Sequence, residues 1–314
     1  MTQIWLIKAF LIFILMASNI LLTGSNGFLG SFILENLQHY SVKCLNRVLS
    51  HYNIDLSKNI PSFRECFDLV IHCAGMAHFV PLGESESKAF FDVNVNGTLN
   101  LLTGLQNNCI PRHFVFISSV SVYGINSGVN IEEDSPLLAN DPYGRSKIEA
   151  EEIVKNWCIE NNVIYTILRL PLVVGPNPPG NLGAMIHAIK KGYYFNISGG
   201  KAMKSMVLAS DIAKYILDAA EVGGIYNLTD GIHPTFNEIS KSISQNLDKS
   251  FVPNMPLFIA NVLAKIGDTL KDVFPINSYK LSKITSTLTF NDSKARKAFN
   301  WDPTPVLIGF KINE

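Results

Sequence analysis

Asn19-Ile20-Leu21-Leu22-Thr23-Gly24-Ser25-Asn26-Gly27-Phe28-Leu29-Gly30 is an apolar run, then a glycine turn, then the start of an apolar-periodic stretch that continues to about Tyr40. The order is strand, turn, helix. Gly24 permits a tight turn, Gly27 lets the backbone approach a pyrophosphate, and Gly30 allows close packing of helix on strand. The helix N-terminus adds amides and a positive dipole end, so the segment is placed as a dinucleotide fingerprint requires.

Outward from this turn, strand-like apolar runs alternate with helix-length amphipathic stretches. Strands are expected near residues 19–23, 42–45, 69–73, 113–118 and 163–169, with helices between them that include 87–107 and 143–161. That alternation specifies an α/β doubly wound parallel sheet. Beyond Pro171 the texture changes: Pro176, Pro178, Pro179 and Gly180 mark a loop, and shorter mixed elements follow. A dinucleotide-binding domain over 16–175 and a smaller lobe, mainly substrate-binding, over 176–314 are expected. No internal repeat or long linker divides the chain.

Three residues carry chemistry. Asp141-Pro142-Tyr143-Gly144-Arg145-Ser146-Lys147 opens a helix, because proline suits the first turn, and the four-residue spacing puts Tyr143 and Lys147 on one face. A free tyrosine titrates at about 10, and a nearby ammonium is expected to favour its phenolate. Tyr143 then serves as a proton shuttle. Ser119, two dozen residues upstream, would hydrogen-bond the same substrate oxygen while hydride moves at carbon. A Tyr-x-x-x-Lys alone arises often by chance as an exposed aromatic beside a solvated charge. Downstream of the glycine turn, and in this order, it acquires meaning.

Composition sets bounds. The 314 residues are 47% hydrophobic, enough for a large core, and 26 basic side chains balance 26 acidic ones. No overall field favours nucleic acid, and long basic runs are missing. The five cysteines, at 44, 66, 73, 109 and 158, lack paired spacing and neighbouring histidines, which reads as reduced thiols in a cytosolic protein without a metal. Residues 4–16 are almost continuously apolar, broken by Lys8. That run is short for a span, which needs about 20 residues, and a signal peptide would send a dinucleotide enzyme away from its cofactor. Translation starting at Met16, with residues 1–15 a non-native upstream extension, fits best; a peripheral membrane contact comes next.

Further segments carry a family likeness: Asp55-Leu56, Ile71-His72-Cys73-Ala74-Gly75, Asn94-Val95-Asn96-Gly97-Thr98, Phe116-Ile117-Ser118-Ser119 with Tyr123-Gly124, and Leu168-Arg169-Leu170-Pro171 with Val174-Gly175-Pro176. With the glycine turn and the Tyr-x-x-x-Lys, the chain from Ser18 onward resembles the extended short-chain dehydrogenases/reductases, in the NAD-dependent epimerase/dehydratase family that modifies nucleotide sugars. The resemblance implies a Rossmann-like sheet, NAD(P)(H) as cofactor, a UDP-sugar substrate, room for a homodimer, and no firm membrane partner. It places Phe28 and Leu29 beside the pyrophosphate, Asp55 and Leu56 on the adenine, Cys73, Ala74 and Gly75 under the cofactor, and Asn94 and Pro171 near the active site. By the same alignment Asn46 stands where NAD-preferring relatives often carry Asp, and Arg47 could pair with a 2′-phosphate, which tilts the choice toward NADP. An exposed strand-end charge is the bland reading of Arg47.

The resemblance also narrows the reaction. Sugar 4,6-dehydratases follow the catalytic Ser or Thr with Asp and Glu, whereas Ser119 is followed by Val120 and Ser121. Dehydration is disfavoured. Leu172 after Pro171, where galactose-type epimerases typically carry Asn after an aromatic residue, looks more like the 4-ketoreductases and related epimerases of surface-polysaccharide synthesis. Asn181 and Lys204 match diphosphate contacts, with Lys204 in place of the usual arginine; Ser121 and His78 are placed toward the sugar, and His72 in the core. The expectation is oxidoreduction at C4 of a UDP-sugar, against the alternative of a catalytically silent NAD(P)-binding sensor of the same fold.

Overall fold

The structure, a computed structural model, describes residues 19–77, 83–249, 251–270 and 276–311. The expected extension at 1–15 and the expected sugar contact His78 lie outside the described residues.

Seven strands form the central sheet: β1 (Asn19–Thr23), β2 (Ser41–Asn46), β3 (Tyr52–Asn53), β4 (Leu69–His72), β5 (His113–Ser119), β7 (Ile164–Leu170) and β11 (Gly224–Asn227). Their order across the sheet is β3-β2-β1-β4-β5-β7-β11, and every pairing is parallel. The chain leaves β1 in one direction and returns to β4 on its other side, which opens a crevice at the carboxyl ends of β1 and β4. β1 is apolar on both faces because both are covered; Ile20, Leu21 and Leu22 have no exposed surface.

Successive residues of each strand serve opposite layers. Ile20, Leu22, Ile71, Val115 and Leu168 meet Leu29 and Ile33 of α1 (Phe28–Asn36) and Ile212 and Ile216 of α6 (Ala209–Val222). Leu21, Val70, Phe114, Phe116 and Ile167 meet Leu101 and Leu105 of α3 (Gly97–Gln106) and Val154 of α4 (Pro142–Glu160). The helix expected over 87–107 is three pieces: α2 (Glu84–Phe91), a π-turn at Asp92–Asn96, and α3.

Past residue 176 the chain alternates between layers. A small lobe is built from β8 (Leu172–Val174) paired with β10 (Met206–Leu208), α5 (Gly180–Lys191), α7 (Phe236–Asn246) and α11 (Val306–Gly309), around Leu182, Met185, Ile189, Ile239, Ile243 and Val306. β9 (Asn196–Ile197) with β12 (Asn254–Met255), and β6 (Gly128–Ile131) with β13 (Leu288–Phe290), extend it, as do α8 (Leu257–Leu270) and α9 (Ser278–Thr285). α6 and β11 return to the main sheet, and Ala295 and Phe299 of α10 (Ser293–Phe299) join its core.

The cysteine expectation needs correction. Cys66 and Cys109 form a disulfide, and only Cys44, Cys73 and Cys158 are free. Cys66 precedes β4 and Cys109 follows α3, which leads back to β5 beside β4, so tertiary structure brings their Cα atoms within 5.3 Å across 43 residues. Spacing carried no sign of it. No group of three or more metal-ligating side chains occurs among the described residues.

The glycine turn is sterically closed. Gly24 has φ +73°, and a Cβ on Gly30 would stand 2.1 Å from the Gly24 carbonyl oxygen. Gly30→Ala is therefore expected to lower unfolding free energy by about 1–3 kcal/mol and to abolish dinucleotide binding. Urea denaturation read beside a cofactor titration checks both.

Candidate active site

α4 begins at Asp141, whose carboxylate accepts from Gly144 N at 3.0 Å, with Pro142 in the first turn. One turn in, Tyr143 packs its ring on Phe90 of α2, with centroids 5.8 Å apart. β5 ends at Ser119, which accepts from Ser121 N and donates to Ser121 Oγ, both at 3.2 Å, as it caps a 3-10 turn at Val120–Tyr123. The Ser119 hydroxyl also lies near enough to the Tyr143 phenol to pull its pKa down against burial. Serine and tyrosine thus converge from two elements.

Lys147 is buried from the same helix face, but it is not aimed as expected. Its ammonium donates to the Ile117 carbonyl at 2.7 Å and lies 4.3 Å from the Phe116 ring centroid. Burial pulls its pKa down to about 8, against the opposing pull of Cys73 and Glu151. Tyr143 is shifted upward, not downward: burial raises the phenol, Ser119 lowers it and Asp141 raises it. The expectation that the ammonium would favour phenolate is corrected: burial of Tyr143 raises its phenol, and Lys147 is directed to the Ile117 carbonyl instead. Tyr143 rests as a proton donor.

Behind the triad the π-turn has a specific cause. Asn94 Oδ1 accepts from Met76 N at 2.7 Å, and its Nδ2 donates to Met76 O at 3.1 Å and to Ser146 Oγ at 2.9 Å. Ser146 Oγ in turn donates to the Tyr143 carbonyl at 2.8 Å. Asn94 therefore ties the loop after β4 to α4, and a π-turn aims it there, as such bulges often do at functional sites. Gly75 lodges between Asn94 and Lys147: a Cβ there would lie 3.2 Å from Asn94 Oδ1 and 3.6 Å from Lys147 Nζ.

A second string runs through His72, which is buried as expected. Thr98 Oγ1 donates its one proton to the Asn94 carbonyl at 2.6 Å, so His72 Nε2, 3.0 Å from the same oxygen, must carry a hydrogen. Burial holds the ring neutral, its pKa down to about 3, so Nδ1 accepts from Thr23 Oγ1 at 2.7 Å. Thr23 Oγ1 accepts from Ala74 N at 3.1 Å. The end of β1, the loop after β4 and the π-turn form one network.

These surroundings fit a dinucleotide. A Cβ on Gly24 would meet Ala74 N at 2.6 Å, which leaves room only for backbone, and no side chain caps the N-terminus of α1 at Gly27. Amides in its first turn, at Phe28, Leu29 and Gly30, stay available for an anion. Asn46 is buried and donates to Ser25 Oγ at 2.8 Å within this turn, while Arg47 beyond it is exposed. Asp55 is held below the usual carboxylate range by Ser57, which donates to it through Oγ at 2.7 Å, and Leu56 is buried beside it. Cys73, its thiol pushed up to about 12 by burial, sits near Lys147. Pro171 joins β7 to β8, Asn181 is exposed in the first turn of α5, and Lys204 is half-buried, its pKa pulled down to about 8 by burial and by Lys283.

A model of the NAD dependent epimerase/dehydratase family matches residues 20–229. The chain belongs to that family. It is accordingly an enzyme of the short-chain dehydrogenase/reductase type. The enzyme is 28% identical over 305 residues to an N-acetyl-alpha-D-glucosaminyl-diphospho-ditrans,octacis-undecaprenol 4-epimerase of Escherichia coli O157:H7, covering 90% of each chain. It is 25% identical over 320 residues to a UDP-glucose 4-epimerase of Vibrio cholerae, covering 94% of each. Among solved structures it is similar to RMD from Pseudomonas aeruginosa complexed with NADPH, with TM-score 0.72, 20% identity, and coverage of 93% of this chain and 94% of that one. A Thermotoga maritima UDP-glucose 4-epimerase with UDP-glucose gives TM-score 0.71 at 21% identity over 93% and 96%. These two likenesses concern the fold.

Lys147 is expected to set a pH limit if it serves the dinucleotide as its sequence position implies. Its ammonium, with a pKa of about 8, loses its proton as pH rises through that value, while the unfolded lysine holds it to about 10.4. Dinucleotide affinity and turnover of the enzyme are expected to fall above pH 8, and the limb to move up by two or more pH units in Lys147→Arg. Titrations of cofactor fluorescence between pH 6 and 10 read it.

Proposed function

We propose that the enzyme carries out NAD(P)-dependent oxidoreduction at C4 of a UDP-linked hexose, as a 4-epimerase or a 4-ketoreductase, in the building of a surface polysaccharide. The observation that carries this reading is the Ser119–Tyr143 hydroxyl pair beside buried Lys147, with Val120 and Ser121 in the adjoining turn where elimination would need two acids. Glu151, one turn beyond Lys147, is engaged by Arg169 and Ser118. Tyr143 gives its proton to a keto oxygen, and in the reverse direction its phenolate takes one from a carbinol oxygen, while Ser119 holds that oxygen by hydrogen bonding. A bound nicotinamide would supply or accept the hydride at the carbon.

Roles follow for the rest. Residues 16–175 hold the dinucleotide, and 176–314 mainly hold the substrate. Arg47 favours NADP through a 2′-phosphate, Asn181 and Lys204 take the diphosphate, and Ser121 faces the sugar. A homodimer in the cytoplasm, where the dinucleotide is supplied, completes the reading. The Escherichia coli relative favours a second carrier, a diphospho-undecaprenol in place of UDP, because Lys204 would meet the same diphosphate in either.

The test supplies UDP-sugars, their 4-keto derivatives and a diphospho-undecaprenol sugar, each with NADH or NADPH. Interconversion without net NAD(P)H loss marks an epimerase, and stoichiometric loss on a 4-keto sugar marks a reductase. Turnover of none of them, with the cofactor bound, would sink the proposal.

A further inference from the structure

Lys204 is held by its main chain on both sides. Its N–H donates to the Pro234 carbonyl at 3.0 Å, Leu288 of β13 bridges it in parallel register, and Met203 beside it bridges Thr235. The side chain is half-buried, so the place of its ammonium follows the place of its backbone. The next residue, Ser205, is 3% exposed and joins the two flanks: its Oγ accepts from Phe290 N at 2.8 Å and hydrogen-bonds His233 Nδ1 at 3.0 Å.

The backbone of His233 is strained to reach Ser205. It has φ +54°, a region that residues other than glycine enter rarely. Asp230, itself 3% exposed, keeps it there: Oδ1 accepts from Ile232 N at 3.1 Å and His233 N at 3.4 Å, and Oδ2 from Val306 N at 2.9 Å. Strain held in this way points to a use for the side chain it aims. From Ser205 the contacts run on to the turn that Ser119 caps. Phe290, whose amide Ser205 holds, stacks on Tyr123 of that turn, with ring centroids 5.5 Å apart and planes at 24°. Both aromatic residues are at most 2% exposed, and groups packed so closely transmit a displacement rather than absorb it.

We propose that His233 and Ser205 are positioning residues: they fix Lys204 on β13 at a set place relative to Ser119, so that a substrate diphosphate gripped by Lys204 brings its sugar to the Ser119–Tyr143 pair. Neither residue has to touch the substrate. The inference rests on the assignment of Lys204 to the diphosphate, and it adds how the substrate lobe is registered on the catalytic turn.

The test is calorimetric titration of UDP into the full-length enzyme saturated with NADPH or NADH, whichever binds more tightly. Glycine accepts a positive φ, so His233→Gly keeps the turn and removes the ring, while asparagine tolerates the same φ and offers an amide near the place of Nδ1. His233→Gly is expected to weaken UDP at least tenfold with dinucleotide affinity within twofold of the parent, and His233→Asn to stay within threefold on both. Lys204→Gln should weaken UDP at least tenfold, and adding His233→Gly to it should cost less than twofold more, because His233 acts through Lys204. If the parent does not bind UDP, or Lys204→Gln leaves its affinity unchanged, the diphosphate reading falls and this inference with it. If Lys204→Gln weakens UDP but His233→Gly does not, if the two losses multiply, or if asparagine binds no better than glycine, the inference alone is overturned. Loss of dinucleotide affinity in His233→Gly overturns it as well, since that is the mark of a damaged fold.

Discussion

Tyr143→Phe is expected to lower kcat by about 10²–10⁴-fold with dinucleotide affinity unchanged. The substitution removes one oxygen and keeps the ring, so the contact with Phe90 and the start of α4 at Asp141 persist. What disappears is the proton that burial holds on the phenol and the oxygen whose charge Ser119 favours. Because the resting phenol is a donor, the variant should fail on a keto substrate as well as on an alcohol. Removing Ser119 instead, as Ser119→Ala, leaves the phenol in place and also frees Ser121 N, so its loss should be smaller. Steady-state rates with a cofactor titration on the same preparations separate loss of chemistry from loss of binding. A Tyr143→Phe enzyme that turns over within threefold of the parent would remove Tyr143 from the mechanism.

The contrast between Tyr143 and Lys147 shows where reading the sequence reaches its limit. Residue order and helical spacing placed both on one face of α4, and the glycine turn placed the crevice, because such features are local. Strands β1, β2, β4, β5 and β7 were legible for the same reason: runs buried on both faces have no periodicity to confuse with an amphipathic helix. The direction of the ammonium was not legible, since it is set by the Ile117 carbonyl thirty residues away. Asn94 was singled out by likeness, but its π-turn depends on Met76 and Ser146, which only folding brings to it. Ser146, Thr98 and Glu151 were overlooked as working residues. Ser146 and Glu151 each lie within four residues of Tyr143 or Lys147 on α4, a signal that helical spacing could have provided. The pairing of Cys66 with Cys109 had no local signal at all.

Arg169→Met is expected to cost about 3–5 kcal/mol of stability, the largest folding effect of any single change considered. Arg169 and Glu151 are 3% exposed each, and the guanidinium reaches both carboxylate oxygens, at 2.8 Å through NH2 and 3.2 Å through Nε. NH1 donates to the Tyr123 hydroxyl at 3.1 Å and to the Glu133 carbonyl at 2.8 Å. Removing the cation strands a carboxylate inside the protein, and desolvation of that charge outweighs the packing that methionine restores. Arg169→Met with Glu151→Leu should therefore recover more than half of the loss, since no buried charge is left unpaired. Urea denaturation of the two single variants and the double variant gives the coupling directly. The loss should also reach the chemistry, because Glu151 accepts from Ser118, the neighbour of Ser119, and lies one helical turn from Lys147. Arg169 sits on β7 beneath the end of β5, pairing Ser118 in register, so the ion pair holds the strand end that presents Ser119 to α4. In the double variant stability returns without that restraint on Ser118. Recovery of folding with only partial recovery of turnover is the result expected if the pair positions the triad; full recovery of both would make it a purely structural element.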